Sequence, residues 1–121
     1  MERKIHLPCV HDFGMIHKVD FQGNYEAYTP EKYNCISVDD DLLNSFSEEL
    51  SLMKTYFHSF NRPENGLAYY GITLIPPESL SLFYEALVSS ETFKASNELS
   101  KLASKIMEAS VEKKYMIHYG V

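Results

Sequence analysis

The 121-residue chain contains no tryptophan and only two cysteines, five glycines and five prolines. Two cysteines, Cys9 and Cys35, are too few for the disulfide framework of a small secreted domain, so a reduced, cytoplasmic protein is expected. No charged segment followed by an apolar one opens the chain, which argues against a signal peptide. The longest apolar run is far too short to cross a bilayer, so no membrane partner is expected.

Motifs that hold phosphates, metals or catalytic nucleophiles are also missing. The chain has no Walker loop, no GxGxxG turn, no GxSxG elbow and no HExxH pair. The run Asp39-Asp40-Asp41 lacks the alternating spacing and distant glutamate of a calcium loop. We therefore expect no cofactor, no metal ion and no enzymatic activity.

Length and composition predict one globular domain covering residues 1–121. A chain of this size buries roughly two thirds of its unfolded surface, which is enough for a single core. The hydrophobic share is 45%, and nine tyrosines and seven phenylalanines supply all of the aromatic residues.

The net charge of -6 is concentrated in the first half of the chain. Residues 1–60 hold ten acidic and five basic residues, whereas residues 61–121 hold seven and six. Between residues 20 and 53 there are eight acids and one base, Lys32. A field of one sign on this part of the surface repels nucleic acid and attracts a basic protein.

The first half shows the pattern of an antiparallel strand group followed by a helix. Apolar and polar side chains alternate over residues 13–21, Gly23-Asn24 is typical of a hairpin turn, and residues 25–28 are predicted to return as a strand. Residues 5–10 and 33–38 are predicted as further strands. Apolar residues at steps of three and four predict one long helix over about residues 40–60, capped by Asp39 or Asp40.

The second half is organised around residues 66–82, GLAYYGITLIPPESLSL. Apolar residues on both faces of residues 67–75 predict a central strand, where Gly71 allows a neighbouring group to approach the backbone. Pro77 is predicted to begin a helix that runs to about residue 88, and a third helix follows residues 89–91. Residues 115–119 close the chain as a strand. This order predicts an α+β fold in which an antiparallel sheet of about five or six strands packs with three helices.

The histidines offer one catalytic alternative. His11 and His17, with Lys18, are a possible acid–base set for metal-independent cleavage of RNA, although no spacing fixes their geometry and the charge field opposes an RNA substrate. Cys9 near His11 could be interpreted as a nucleophile and its base. A buried or solvated residue is the more common role of each.

The aspartates and glutamates of residues 39–49 invite a functional interpretation. One or two aspartates suffice to cap a helix, so the third needs another reason. Glu48 and Glu49 have no lysine or arginine three or four residues away, so no local pair neutralises them. Unpaired charge on one exposed face is suited to a complementary basic partner.

The segment GLAYYGITLIPPESL, with the preceding MKTYFHSFNRPEN, resembles small bacterial immunity proteins, in particular those of contact-dependent growth inhibition systems. The resemblance covers about residues 50–82. It implies a cytoplasmic protein that binds the C-terminal toxin domain of its own strain, commonly a nuclease, and covers its active site or an adjacent surface. It implies no catalytic residues.

Charge and resemblance together predict a toxin-binding face, because carboxylates can mimic the phosphates that a basic nuclease binds. We expect the face to comprise Asp39, Asp40, Asp41, Glu48, Glu49, Tyr25, Tyr28 and Tyr33. A monomer or a toxin–immunity heterodimer is expected. The alternatives are the small ribonuclease and a homodimeric regulatory module that uses the surface around Tyr69.

Overall fold

The structure, a computed structural model, describes residues 9–121 and has an α+β fold. Its strands and helices are β1 (Val10–Ile16), β2 (Ile36–Asp39), α1 (Asp40–Asn44), α2 (Ser47–Leu50), β3 (Lys54–Phe57), β4 (Pro63–Asn65), β5 (Ile72–Ile75), α3 (Leu80–Val88), α4 (Asn97–Glu112) and β6 (Tyr115–Tyr119). Short 3-10 helices occupy Pro30–Tyr33, Pro77–Ser79 and Phe93–Ala95. Among these residues no helix is long and apolar enough to cross a bilayer.

All six strands form one antiparallel sheet in the order β2-β1-β6-β5-β3-β4. The last strand in the chain, β6, therefore lies at the middle of the sheet, between β1 and β5. In this register His118 of β6 is opposite Phe13 of β1 on one side and opposite Thr73 of β5 on the other.

The sheet has two covered faces, since successive side chains of a strand point in opposite directions. Helices cover one face, and the helix-side core contains Phe13, Val38, Leu43, Phe46, Leu50, Met53, Ile75, Phe83, Leu87, Leu99, Leu102, Ile106 and Met116. The loop-side core on the other face contains Ile16, Ile72, Leu74, Ile117 and Tyr119, covered in part by Val19, Tyr25, Tyr33 and Cys35. Removing each large apolar side chain from water contributes about 1.5–3 kcal/mol.

Several local predictions are confirmed. The closing strand has the predicted bounds, Tyr115–Tyr119, and residues 72–75 are buried on both faces. Pro77 begins a 3-10 turn that leads into α3, which ends at Val88 as predicted. Asp39 is the N-cap of α1, and its side chain accepts a hydrogen bond from the Asp41 amide.

The single long helix predicted over residues 40–60 is wrong. The chain forms the short helices α1 and α2 and then enters β3. The hydroxyls of Ser45, Ser47 and Ser51 donate to main-chain carbonyls three residues earlier, and such bonds compete with continued helix formation. The apolar residues recur at steps of three and four without one continuous helix, because two short helices in succession also place Leu43 and Leu50 in the helix-side core.

The predicted hairpin over residues 13–28 is also wrong. Strand β1 ends at Ile16, opposite Tyr115, where β6 begins, and its other edge pairs with β2 over Val10–Phe13, so no edge is left there for a returning strand. The turn falls at Asp20, whose carbonyl accepts from the Gly23 amide, and residues 25–28 form no strand. The Tyr25 amide donates to the His58 carbonyl, so this segment serves as a cover for the loop-side core.

Two further strand boundaries differ from the sequence predictions. The strand predicted at residues 33–38 is Ile36–Asp39, because Pro30–Tyr33 forms a 3-10 helix that ends at Asn34 in the left-handed conformation. The strand predicted at residues 67–75 begins only at Ile72, after Gly71 with φ of +105°. Residues 5–8 of the strand predicted at residues 5–10 lie outside the described residues. The described residues 9–121 contain four α-helices where three were predicted, and two of them, α1 and α2, are only four or five residues long.

Candidate functional site

A row of polar side chains crosses the helix-facing side of the sheet. His11, His118 and Thr73 stand on the neighbouring strands β1, β6 and β5, and all three are buried. His11 Nδ1 lies 2.8 Å from His118 Nε2, and His118 Nδ1 lies 3.1 Å from the Thr73 hydroxyl. The register brings them together, since His118 is opposite Thr73 and diagonal to His11.

The row ends at Asp40, the first residue of α1. His11 Nε2 lies 2.7 Å from Asp40 Oδ1. The second carboxylate oxygen accepts from the Tyr69 hydroxyl at 3.1 Å and from the Asn44 amide at 3.3 Å. Strand β2 leads directly into α1, so the pairing of β2 with β1 places Asp40 beside His11.

One arrangement of hydrogens satisfies the whole chain of bonds without placing a positive charge in the interior. The Thr73 hydroxyl accepts from the Ala68 amide at 2.8 Å, which leaves its own hydrogen to donate to His118 Nδ1. His118 then donates from Nε2 to His11 Nδ1, and His11 donates from Nε2 to the Asp40 carboxylate. Burial, and to a smaller extent the adjacent His11, holds the pKa of His118 well below its ordinary value, which agrees with a neutral ring.

Asp40 is the charged end of this chain. Burial alone would raise its pKa, but hydrogen bonds from His11 and Tyr69, the charge interaction with His11 and a hydrogen bond from Asn44 together outweigh burial, so the pKa of Asp40 lies below its ordinary value. The hydrogen bond that the Tyr69 hydroxyl donates to the Asp40 carboxylate raises the pKa of Tyr69. The side chain of Asp40 is 13% exposed, so the charge is close to solvent but held in a fixed orientation.

A cavity of about 180 Å³ opens beside Asp40, and we call it the Asp40 pocket. Leu43, Leu50 and Leu67 supply its apolar lining. Polar lining comes from His11, Asp40, Tyr69, Asn44, Ser47, Ser51 and Asn65. The last four are exposed side chains, so polar groups meet solvent where the pocket opens.

The two buried imidazoles have no nitrogen left for acid–base chemistry. Both ring nitrogens of His11 and both of His118 are engaged within the chain of hydrogen bonds. His17 is exposed beyond the opposite end of β1, so the fold does not bring it to His11. Burial raises the pKa of the Cys35 thiol to about 12, which keeps it protonated, and Cys9 is exposed.

A second buried carboxylate, Asp12, lies on the loop-facing side of the sheet. It accepts hydrogen bonds from the hydroxyls of Tyr28 and Ser37. The bond to Asp12 raises the pKa of Tyr28 to about 12, with a smaller contribution from burial. Tyr28 thus anchors the segment that covers the loop-side core, although most of its ring is exposed.

The predicted face is divided between the two sides of the sheet. Asp41, Glu48 and Glu49 are exposed on α1 and α2, on the helix side. Asp39 is engaged as the cap of α1, its amide donates to Glu98, and Asp40 is turned toward His11. The three predicted tyrosines, by contrast, lie on the loop side: Tyr25 and Tyr33 are half-buried against the loop-side core, and Tyr28 packs on Tyr119.

Sequence reasoning did not anticipate the chain from Thr73 through His118 to His11. The alternation of side chains along the strands did carry a signal. His11 is two and four positions from Phe13 and Met15, and His118 is two positions from Met116, so each histidine points to the same face of the sheet as those core residues. A histidine in phase with core residues is expected to be buried and to need partners. The sequence did not indicate that His11 contacts His118, since the two residues are 107 positions apart.

Over residues 9–121, no group of three or more histidine, cysteine, aspartate or glutamate side chains is arranged to hold a metal ion. Comparison of the chain with protein-family models, with curated proteins and with solved structures found no match.

Proposed function

We propose that the protein is an immunity protein that binds and neutralises a cognate bacterial toxin domain, a basic nuclease, without catalysing a reaction itself. The supporting observation is an acidic surface, defined as the exposed carboxylates of Asp41, Glu48, Glu49 and Glu85 on α1, α2 and α3. Within residues 9–121 none of these carboxylates has a cationic side chain within 4.0 Å. Charge left unpaired in the free protein is available to a basic partner.

An apolar groove runs beside the acidic surface, between α2 and α3. It has a volume of about 350 Å³, and its lining includes Phe46, Leu52, Leu82, Glu49 and Glu85. Leu52 is 71% exposed, an unusual position for a large apolar side chain. Apolar groups bordered by charges are the usual composition of a protein-binding site.

Binding rather than catalysis also fits the imidazoles. His11 and His118 are committed at both ring nitrogens, and His17 lies away from them. A nuclease would need one group free to accept a proton and another to donate it. The homodimer alternative rests on the exposed rings of Tyr69 and Tyr70.

The test is association with the polypeptide encoded directly upstream of this gene, purified in a catalytically inactive form. We expect a complex whose association rate falls steeply with salt, because charge steering is screened over about 10 Å at 0.1 M ionic strength. The double variant Glu48→Lys, Glu49→Lys should associate about 10- to 100-fold more slowly.

The matched control is Glu108→Lys with Glu112→Lys, which makes the same charge change on exposed positions of α4. We expect it to associate at close to the wild-type rate. Equal slowing by both variants would indicate a net-charge effect and remove the assigned surface. Cleavage of RNA by the purified protein, or a stable homodimer that binds no toxin, would overturn the proposed function.

A further inference from the structure

We propose that the Asp40 pocket is a receptor for one arginine side chain of the partner protein. This inference rests on the proposed function, since it names the group that a basic partner would insert beside the acidic surface. The pocket is lined by residues of α1 and α2, the same two helices that carry Asp41, Glu48 and Glu49. A protein lying over these helices therefore reaches both.

The charge of the pocket is the first argument. In the arrangement of hydrogens that places no positive charge in the interior, the rings of His11 and His118 are neutral and the carboxylate of Asp40 keeps its negative charge. Over the described part of the chain, the only ion pair formed by Asp40 is the one with His11, which is charged only if His11 is protonated. A partly buried carboxylate without a cation is the kind of group that gains most from a charged donor.

The remaining acceptor capacity of Asp40 is the second argument. A carboxylate has about four lone-pair positions. Donors from His11, Tyr69 and Asn44 account for three, and the Asn44 contact is the longest at 3.3 Å. An incoming N–H group can take the fourth position or replace Asn44, while His11 keeps the carboxylate in its orientation.

The lining of the pocket selects arginine over lysine. Leu43, Leu50 and Leu67 offer apolar surface to a methylene stem, and Tyr69 offers an aromatic ring. A guanidinium spreads five N–H donors over a plane and stacks on aromatic rings. The acceptors of the pocket are one carboxylate and the separated side-chain oxygens of Asn44, Ser47 and Asn65. A guanidinium can reach several of these acceptors at once, whereas an ammonium is compact and strongly hydrated.

The pocket can be probed without the toxin. In a titration of the full chain followed by NMR, N-acetyl-arginine methylamide should shift the resonances of Tyr69, Asn44 and Gly66. The citrulline analogue has nearly the same shape without the charge, and the lysine analogue has the charge without the plane. Both should bind at least about 10-fold more weakly. Equal binding of the citrulline analogue, or stronger binding of the lysine analogue, overturns the assignment.

The matched variants are Asp40→Asn and Asp41→Asn, which remove one negative charge at adjacent positions, inside and outside the pocket. Asp40→Asn should weaken the arginine probe about 10-fold or more, and Asp41→Asn should not. If Asp40→Asn does not fold, Tyr69→Ala removes the exposed ring and should weaken the same probe. Unchanged binding by the folded pocket variant contradicts the inference.

The two proposals fail separately. If the toxin binds and Glu48→Lys with Glu49→Lys slows it, but the arginine probe does not bind, only the arginine receptor is lost. If the probe binds at the Asp40 pocket while no toxin associates, the receptor stands and the proposed function is lost. With both in place, Asp40→Asn should raise the dissociation rate of the toxin by about 10-fold or more.

Discussion

The buried ring of His118 makes the stability of the fold depend on pH. His118 is fully buried between His11 and Thr73, and its neutral ring uses both nitrogens. In the unfolded chain the same ring is solvated and has a pKa of about 6.5. Because burial lowers the pKa in the folded state, the unfolded state takes up the proton first as pH falls.

The sign and size of the effect follow from that difference. The contribution of His118 is fully present above pH 6.5 and is lost progressively below it, down to the lowered pKa of the folded state. Each pH unit in this window costs about 1.4 kcal/mol. If the ring stays neutral to pH 5, the free energy of unfolding is about 2 kcal/mol lower at pH 5 than at pH 8 from this residue alone. The Asp40 carboxylate beside His11 adds no loss in this window, since its lowered pKa keeps it ionised there.

The assay is urea unfolding between pH 8 and pH 5, with the pH slope of the free energy as the readout. His118→Gln removes one titrating ring and should flatten the slope, whatever it does to absolute stability. His17→Gln makes the same chemical change at an exposed position and should leave the slope unchanged. A wild-type slope near zero, or a His118→Gln slope equal to that of the wild type, would refute a buried neutral histidine.

Two further predictions concern the scaffold and are measured by urea unfolding at pH 7.5. Phe83→Ala should lower the free energy of unfolding by about 3–5 kcal/mol, because Phe83 is fully buried against Phe13, whereas Phe21→Ala at a half-exposed ring should cost less; similar losses would contradict the assigned core. Gly71→Ala should lower the free energy of unfolding by about 1–2 kcal/mol, since φ of Gly71 is +105° and a Cβ would lie 2.7 Å from His58 Nε2. An unchanged free energy of unfolding in Gly71→Ala would contradict that backbone conformation.

Features with local causes were predictable from the sequence. The Asp39 cap, the turn at Pro77 and the closing strand Tyr115–Tyr119 depend on neighbours a few positions away. The α+β class followed from their order along the chain. The exposure of the Glu48 and Glu49 carboxylates was also predictable, because the sequence shows that no lysine or arginine lies three or four residues away.

Competition between local signals was harder to predict. The apolar spacing of residues 40–60 fits a helix, yet strand pairing of Lys54–Phe57 with β4 and β5 takes the second part of this stretch into the sheet. The strand pattern of residues 13–21 likewise stops at Ile16, which lies opposite Tyr115, the first residue of β6, whereas β2 pairs with β1 only as far as Phe13. Tertiary pairing overrides propensities worth a few tenths of a kcal/mol per residue.

By itself, the sequence determined the acidic composition, the α+β class, the cap at Asp39 and the turn at Pro77, and it drew attention to Asp40, His11 and Tyr69 as separate residues. Only the tertiary structure decided that these three residues touch. Their meeting requires β6 to insert between β1 and β5, which places His118 against His11 across 107 positions of chain, and it requires β2 to deliver Asp40 to the same place. Contacts of that separation depend on strand register across the whole sheet, and no local propensity encodes register between distant segments.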